Sequence, residues 1–147
     1  MKKLFAEQAD TLKVMTYATD IRPITSPIPL SQALEGVQGL DWSLCPDTEL
    51  TVSGVSVSSI DIEDNWLFVA IPGLVQHGIR FLHAAVEAGA TAVVTDREGS
   101  ERAREMNPDI PIVIVADPRR ASATIAANIY HHPASALKTA AVTGTNG

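Results

Sequence analysis

Apolar positions along this chain repeat with two different periods, and the alternation between the two predicts the fold. From Leu50 onward, "ELTVSGVSV" alternates apolar with small polar residues, as a half-buried strand does, and "WLFVAI" is apolar throughout, as a strand covered on both faces is. After the loop "PGLVQHG", the stretch "IRFLHAAVEAGA" puts Ile79, Leu82, Ala85 and Val86 on one helical face, and Gly89 closes the helix. "TAVVTD" and "IPIVIVAD" are further strands, separated by "SERAREMN", a polar helix that stops before Pro108. Asp117 as N-cap and Pro118 at the first helical position open a last helix, with Ile125 and Ile129 spaced to face a sheet. Ala140, Ala141 and Val142 form a final short strand that runs into "TGTNG".

Strands that alternate with helices imply an α/β fold, a mainly parallel sheet with flanking helices, because parallel neighbours need a crossover and a helix supplies it. Ligands of such sheets sit beyond the C-terminal ends of the strands. Two loops occupy that kind of place, "PGLVQHG" and "TGTNG". The first fifty residues are less regular: Pro23, Pro27, Pro29 and Pro46 interrupt them, and "SQALEGV" offers only a short helix with Ser31 as its N-cap. The expected organisation is an irregular lead-in over 1–49, packed on or near the domain, an α/β domain over 50–137, and the strand and loop of 138–147. By itself "TGTNG" is equally a strand-ending turn, since a generic phosphate loop has Gly where Val142 stands.

Composition narrows the partners. A chain of 147 residues with 46% hydrophobic content is long enough for one core. The net charge of −6 argues against non-specific nucleic-acid or anionic-membrane binding, because both partners would repel it. The single cysteine, Cys45, has no internal disulfide partner and fits a reducing compartment. The start "MKKLFAEQADTLK" imitates a signal peptide, but Glu7, Gln8, Asp10 and Lys13 interrupt any apolar stretch, so the expectation is cytoplasmic.

Other side chains carry less. His131 and His132 point apart on a helix, have no ligand at metal spacing, and are expected to cap the helix C-terminus with positive charge; no metal site is expected. Asp61, Glu63 and Asp64 fit a solvated turn, and Trp42, Trp66 and Phe81 fit packing. Cys45 has no visible His partner for nucleophilic work.

The segments "GVSVSSIDIEDNWLFVAIPGLVQHG", "AAVEAGATAVVTD" and "NIYHHPASALKTAAVTGTNG" together resemble the N-terminal part of the Mur ligases, the ATP-dependent amide-bond-forming enzymes of peptidoglycan synthesis. There a stretch like G-V-T-x-D-S-R-x-V-x-P-G-D-L-F-V-A precedes a Gly-containing loop and, later, V-T-G-T-N-G-K-T. The resemblance covers about the last two-thirds of the chain. Within the family it looks most like the member that adds the third stem residue, meso-diaminopimelate or L-lysine, to UDP-N-acetylmuramoyl-L-alanyl-D-glutamate; the D-alanyl-D-alanine-adding member is the alternative. Alternatives from other classes are a stand-alone UDP-sugar-binding module and an unrelated nucleoside-triphosphate enzyme.

The resemblance implies that the chain is the substrate-binding fragment of a three-domain ligase, inactive alone, whose partners are the UDP-N-acetylmuramoyl dipeptide and the central and C-terminal domains of the same chain. It implies that Val57, Ser59, Leu74, Val75 and Gln76 contact the uridine-diphosphate end. It also implies that Gly144, Thr145, Asn146 and Gly147 are part of an ATP loop serving ATP and Mg²⁺ in the whole enzyme, with no catalytic residue in this stretch. Two departures stand out: the family's Asp and Arg around Ser59 are Ser58 and Ile60 here, and its P-G-D before L-F-V-A is Asp64, Asn65 and Trp66; losing that Arg removes a partner for a diphosphate. Arg80 and Lys138 are the cations that could replace it.

Overall fold

Residues 23–138 are described in this computed structural model, in the order β1 (Ile28–Pro29), α1 (Leu30–Ala33), β2 (Asp41–Leu44), β3 (Thr51–Val52), β4 (Gly54–Ser56), β5 (Trp66–Val69), α2 (Leu82–Glu87), β6 (Ala90–Thr95), α3 (Arg97–Met106), β7 (Ile112–Ile114) and α4 (Pro118–Ile129). Short 3-10 turns lie at Ser59–Asp61, Gly78–Phe81 and Pro133–Ala136. The expected strand at 140–142 and the loop residues 144–147 lie outside the described residues.

The main sheet has five strands in the order β2-β7-β6-β5-β4. β4, β5, β6 and β7 are parallel, as expected, with Ser56 opposite Phe68, Phe68 opposite Val93, and Val93 opposite Ile112. A strand's period of two lets this one sheet serve two cores. Leu67, Val69, Ala92, Val94 and Val113 face α1 and α4, where Leu30, Ala33, Ala121, Ile125 and Ile129 cover them. Trp66, Phe68, Val93, Ile112 and Ile114 face the other way, against Leu82 and Ala85 of α2 and Ala103 of α3. Ile125 and Ile129 are fully buried, and burial of each contributes about 1.5–3 kcal/mol.

The structure departs from the expected elements at four points. First, the sheet begins before Leu50: β2 pairs antiparallel with β7, Asp41 opposite Ile114, and Leu30, Leu34 and Cys45 belong to the core. Second, "ELTVSGVSV" is two strands, since β3 pairs with β1 in a separate two-stranded ladder while β4 joins the main sheet. Ser53 makes the switch, its N–H donating to the Asn65 carbonyl at 2.9 Å.

Third, Ser31 lies inside α1 rather than at its N-cap. Residues 48–50 already satisfy the first helical donors, because the Leu30 and Ser31 N–H groups donate to the Leu50 and Thr48 carbonyls, and the Ser31 hydroxyl donates to Glu49 instead. Fourth, α3 starts at Arg97, three residues before the expected start, because Asp96 Oδ1 accepts the Gly99 N–H at 2.8 Å and caps it. The cap of α4 is as expected, with Asp117 Oδ1 accepting from the Arg120 N–H at 3.1 Å. His131 and His132 follow α4 in left-handed conformations, with φ of 58° and 50°, and the His132 N–H donates to the Ala127 carbonyl; the helix end is closed by backbone rather than by imidazole charge.

Candidate functional site

Parallel strands deliver all their C-terminal ends to one edge of the sheet. There β4 leads into residues 57–61, β5 into 70–77, β6 into Asp96, and β7 into 115–117. Since β4 and β5 are direct neighbours, the loops that carry the expected site residues are neighbours too. Val57 is 55% exposed, and the partly buried Ser59 opens the 3-10 turn Ser59–Asp61, which packs beside α2. Leu74, Val75 and Gln76 are exposed on the second loop, the first two completely. Neither the Ser59 hydroxyl nor the Gln76 amide is hydrogen-bonded to another described side chain or carbonyl, so both can serve a ligand.

Exposed aliphatic side chains on a mobile loop would fold back onto the protein, but here the neck of the loop is closed. The Gly73 N–H donates to the Gln76 carbonyl at 3.1 Å, the Gly78 N–H donates to the Ile71 carbonyl at 2.9 Å, and Pro72 bridges to His77. Beneath the neck lies His77, only 6% exposed. Its Nδ1 accepts the Ile79 N–H at 3.0 Å, which leaves Nε2 to carry the ring proton and donate to Asp96 Oδ1 at 3.1 Å. Both ring nitrogens are thus engaged in hydrogen bonds.

The same small cluster includes Thr95, fully buried, whose hydroxyl donates to the Ala70 carbonyl at 3.0 Å. Gly99 completes it. A Cβ there would stand 2.1 Å from Thr95 Oγ1 and 2.7 Å from His77 Cε1, closer than any side chain tolerates. Sequence reasoning missed His77 and Asp96, although a signal existed: an Asp ending a strand with Glu98 in the following turn marks a helix start.

The charge lost at Ile60 is visible on the surface, where Ile60 is 92% exposed. Arg80 follows the second loop directly and is exposed, its guanidinium 5.1 Å from the centroid of the Phe81 ring; Phe81 is 44% exposed, so it shelves a cation rather than packing in the core. Lys138 follows the far end of α4. Cys45 is buried, and burial, then the nearby Asp47, pushes its thiol upward, away from nucleophilic character. Asp61 and Asp64 are exposed, as a solvated turn requires.

A cleft of about 370 Å³ opens further along the same edge, between the ends of β6 and β7, lined by Gly39, Asp41, Asp96, Arg97, Ile114 and Ala116 among others. An exposed pair spans it, Arg97 Nη2 to Asp41 Oδ2 at 3.4 Å. The Ser43 N–H, and then Arg97, hold the Asp41 carboxyl below the usual carboxylate range. None of the expected uridine-contacting residues lines this cleft.

This edge, with its parallel strands and two projecting loops, belongs to a known class. Residues 51–130 match the family model described as Mur ligase family, catalytic domain, and the chain belongs to the Mur ligase family. It is 37% identical over 111 residues to a UDP-N-acetylmuramoyl-L-alanyl-D-glutamate–2,6-diaminopimelate ligase of Caldanaerobacter subterraneus, covering 76% of this chain and 22% of that protein. To the protein of the same name from Streptomyces avermitilis it is 36% identical over 134 residues, 90% of this chain and 25% of the relative. A UDP-N-acetylmuramyl-tripeptide synthetase 2 of Oceanobacillus iheyensis is 40% identical over 97 residues, 66% of this chain and 19% of its own length. The chain thus spans about a fifth to a quarter of the curated relatives it matches. Among solved structures, a crystal structure of MurF from Acinetobacter baumannii superposes with a TM-score of 0.51 at 21% identity, over 79% of this chain and 23% of that one, which speaks for the fold alone. Among the described residues no helix is long and apolar enough to cross a membrane.

Proposed function

We propose that this chain supplies the substrate grip of a ligase that adds the third amino acid, meso-diaminopimelate or L-lysine, to UDP-N-acetylmuramoyl-L-alanyl-D-glutamate. The observation that carries the proposal is the pair of neighbouring loops at one sheet edge. They carry Val57, Leu74 and Val75 as exposed apolar surface, and on the same loops the hydroxyl of Ser59 and the amide of Gln76, neither hydrogen-bonded to another described side chain or carbonyl. A uracil ring needs apolar surface with a few well-placed hydrogen bonds, and these five residues would supply the side chains for both. Arg80, exposed just beyond the second loop, is the cation available to a diphosphate. The names of the relatives support the third-residue reaction over addition of D-alanyl-D-alanine.

In the whole protein, the terminal carboxylate of the muramoyl dipeptide would be phosphorylated by ATP with Mg²⁺, which turns a poor electrophile into an acyl phosphate. The incoming amine would attack its carbonyl, losing a proton as phosphate departs. Such chemistry depends on positioning and charge neutralisation, and the grip described here serves positioning, by fixing the far end of the substrate. The ATP-binding assignment falls on Gly144, Thr145, Asn146 and Gly147, outside the described residues, and on further domains that act with this one.

Nuclear magnetic resonance titration of the 147-residue chain with UDP tests the grip. Expected are saturable shifts at the amides of Val57, Ser59, Leu74, Val75 and Gln76. Shifts confined to the cleft around Asp41 and Arg97, or none at millimolar UDP, would refute the assignment.

A further inference from the structure

Most of the loop that carries Leu74, Val75 and Gln76 is solvent-exposed, yet its base holds one of the few buried polar side chains among the described residues, and that side chain is tied to a different element. His77 belongs to the loop; Asp96 belongs to the junction of β6 and α3. Asp96 Oδ1 receives two donors at once, the His77 Nε2–H at 3.1 Å and the Gly99 N–H at 2.8 Å, so a single oxygen joins the loop to the helix cap. On its other side the ring accepts the Ile79 N–H and so also starts the turn Gly78–Phe81 that ends in α2. The contact admits no side chain at Gly99, whose Cβ would meet both His77 and Thr95.

We propose that His77 is a positioning residue for nucleotide binding: through Asp96 it holds loop 72–76, with Leu74, Val75 and Gln76, in one arrangement at the sheet edge it shares with the Ser59 turn. The inference rests on the uridine assignment made above and adds the device that makes it work. A loop that had to be ordered by its ligand would lose binding free energy to that ordering, whereas a latched loop has met the cost on folding. The latch accounts for an imidazole with both nitrogens hydrogen-bonded at this place. It also explains how two fully exposed aliphatic side chains stay clear of the surface they would otherwise cover.

The test uses the 147-residue chain, UDP as the probe and two readouts, calorimetric affinity for UDP and amide hydrogen exchange at Gly73 and Ile79. In His77→Ala, both amides should exchange at least about tenfold faster and UDP should bind about tenfold more weakly. His77→Asn should fall between, because its Oδ1 can take the Ile79 N–H while nothing reaches Asp96; it also carries the test should His77→Ala not fold. Ile129→Val, a mild core truncation at the C-terminal end of α4 on the opposite face, should lower stability and leave UDP affinity unchanged. Faster exchange in both His77 variants with unaltered UDP affinity would overturn the positioning role, as would equal loss of affinity in Ile129→Val. If the unmodified chain does not bind UDP at all while exchange at Gly73 still rises in His77→Ala, the latch stands and the uridine assignment falls.

Discussion

Two neighbouring loops leave the same edge of the sheet, and they are held in different ways. The one after β4 is a 3-10 turn, Ser59–Asp61, with no side-chain cap, resting sideways against α2. The one after β5 is closed by backbone bonds at its neck and pinned from below by His77, Asp96, Thr95 and Gly99. The difference separates two jobs that a binding site combines. In the proposed site, loop 72–76 would give a fixed apolar wall, because buried polar bonds that are fully satisfied rigidify what they join. The Ser59 turn gives a hydroxyl whose partner is not yet chosen. A site built as proposed would take its shape from one loop and its adjustable polar contact from the other.

The largest disturbance of this contrast is expected from Gly99→Ala. The added methyl would have to displace Thr95 or the His77 ring, and overpacking at such a point costs about 1–3 kcal/mol, offset by up to about 1 kcal/mol of better helix propensity. A net loss of about 1.5 kcal/mol in urea denaturation, with faster exchange at Gly73, is the expected result. Unchanged stability would mean that the cluster beneath the loop is slack and that the two loops do not differ as described. Thr95→Val comes next. It keeps the shape but removes the donor to the Ala70 carbonyl, and a buried acceptor left without its partner costs about 1–3 kcal/mol. Here denaturation should show about 1 kcal/mol of loss, and loop 72–76 should loosen less than in Gly99→Ala.

Those two residues also show where the sequence was legible. The parallel sheet could be read because β5, β6 and β7 are apolar runs separated by helical periodicity, and the caps at Asp117 and Pro118 could be read because a cap is a local device. The role of β2 could not: Asp41–Leu44 has no strand pattern of its own, and its place is set by pairing with β7, about seventy residues away. The split of "ELTVSGVSV" was hidden for the same reason, since nothing local at Ser53 announces that Asn65 will accept its N–H. In the candidate site, the resemblance to the family pointed to Val57, Ser59 and 74–76. It had no means of pointing to the His77–Asp96 contact, which joins residues nineteen positions apart across two strand ends.

A smaller effect, on binding rather than folding, is expected at the tip of the pinned loop. Leu74 and Val75 are fully exposed, so Leu74→Ser and Val75→Ser should each leave stability within about 0.5 kcal/mol of the parent in urea denaturation. If the tip is the apolar wall of a uracil slot, each should weaken UDP binding about tenfold, near 1.4 kcal/mol. A change in stability without a change in binding would place the tip against the protein's own surface instead.

The smallest effect should come from Ser59→Ala, on the loosely held side of the comparison. The hydroxyl makes no hydrogen bond to another described side chain or carbonyl, so its removal leaves no buried group unsatisfied and stability should not move beyond about 0.5 kcal/mol. Bound to a ligand, one neutral hydrogen bond contributes about 0.5–1.5 kcal/mol, which corresponds to a two- to tenfold weaker affinity for UDP on titration. Combining Ser59→Ala with His77→Asn sharpens the contrast. If the latch sets only the wall, the two losses should add, because the two loops act on different parts of the ligand. If instead the double variant binds no worse than His77→Asn alone, Ser59 reaches the ligand only when loop 72–76 is latched, and the two loops form one coupled unit rather than a fixed wall with a separate polar contact.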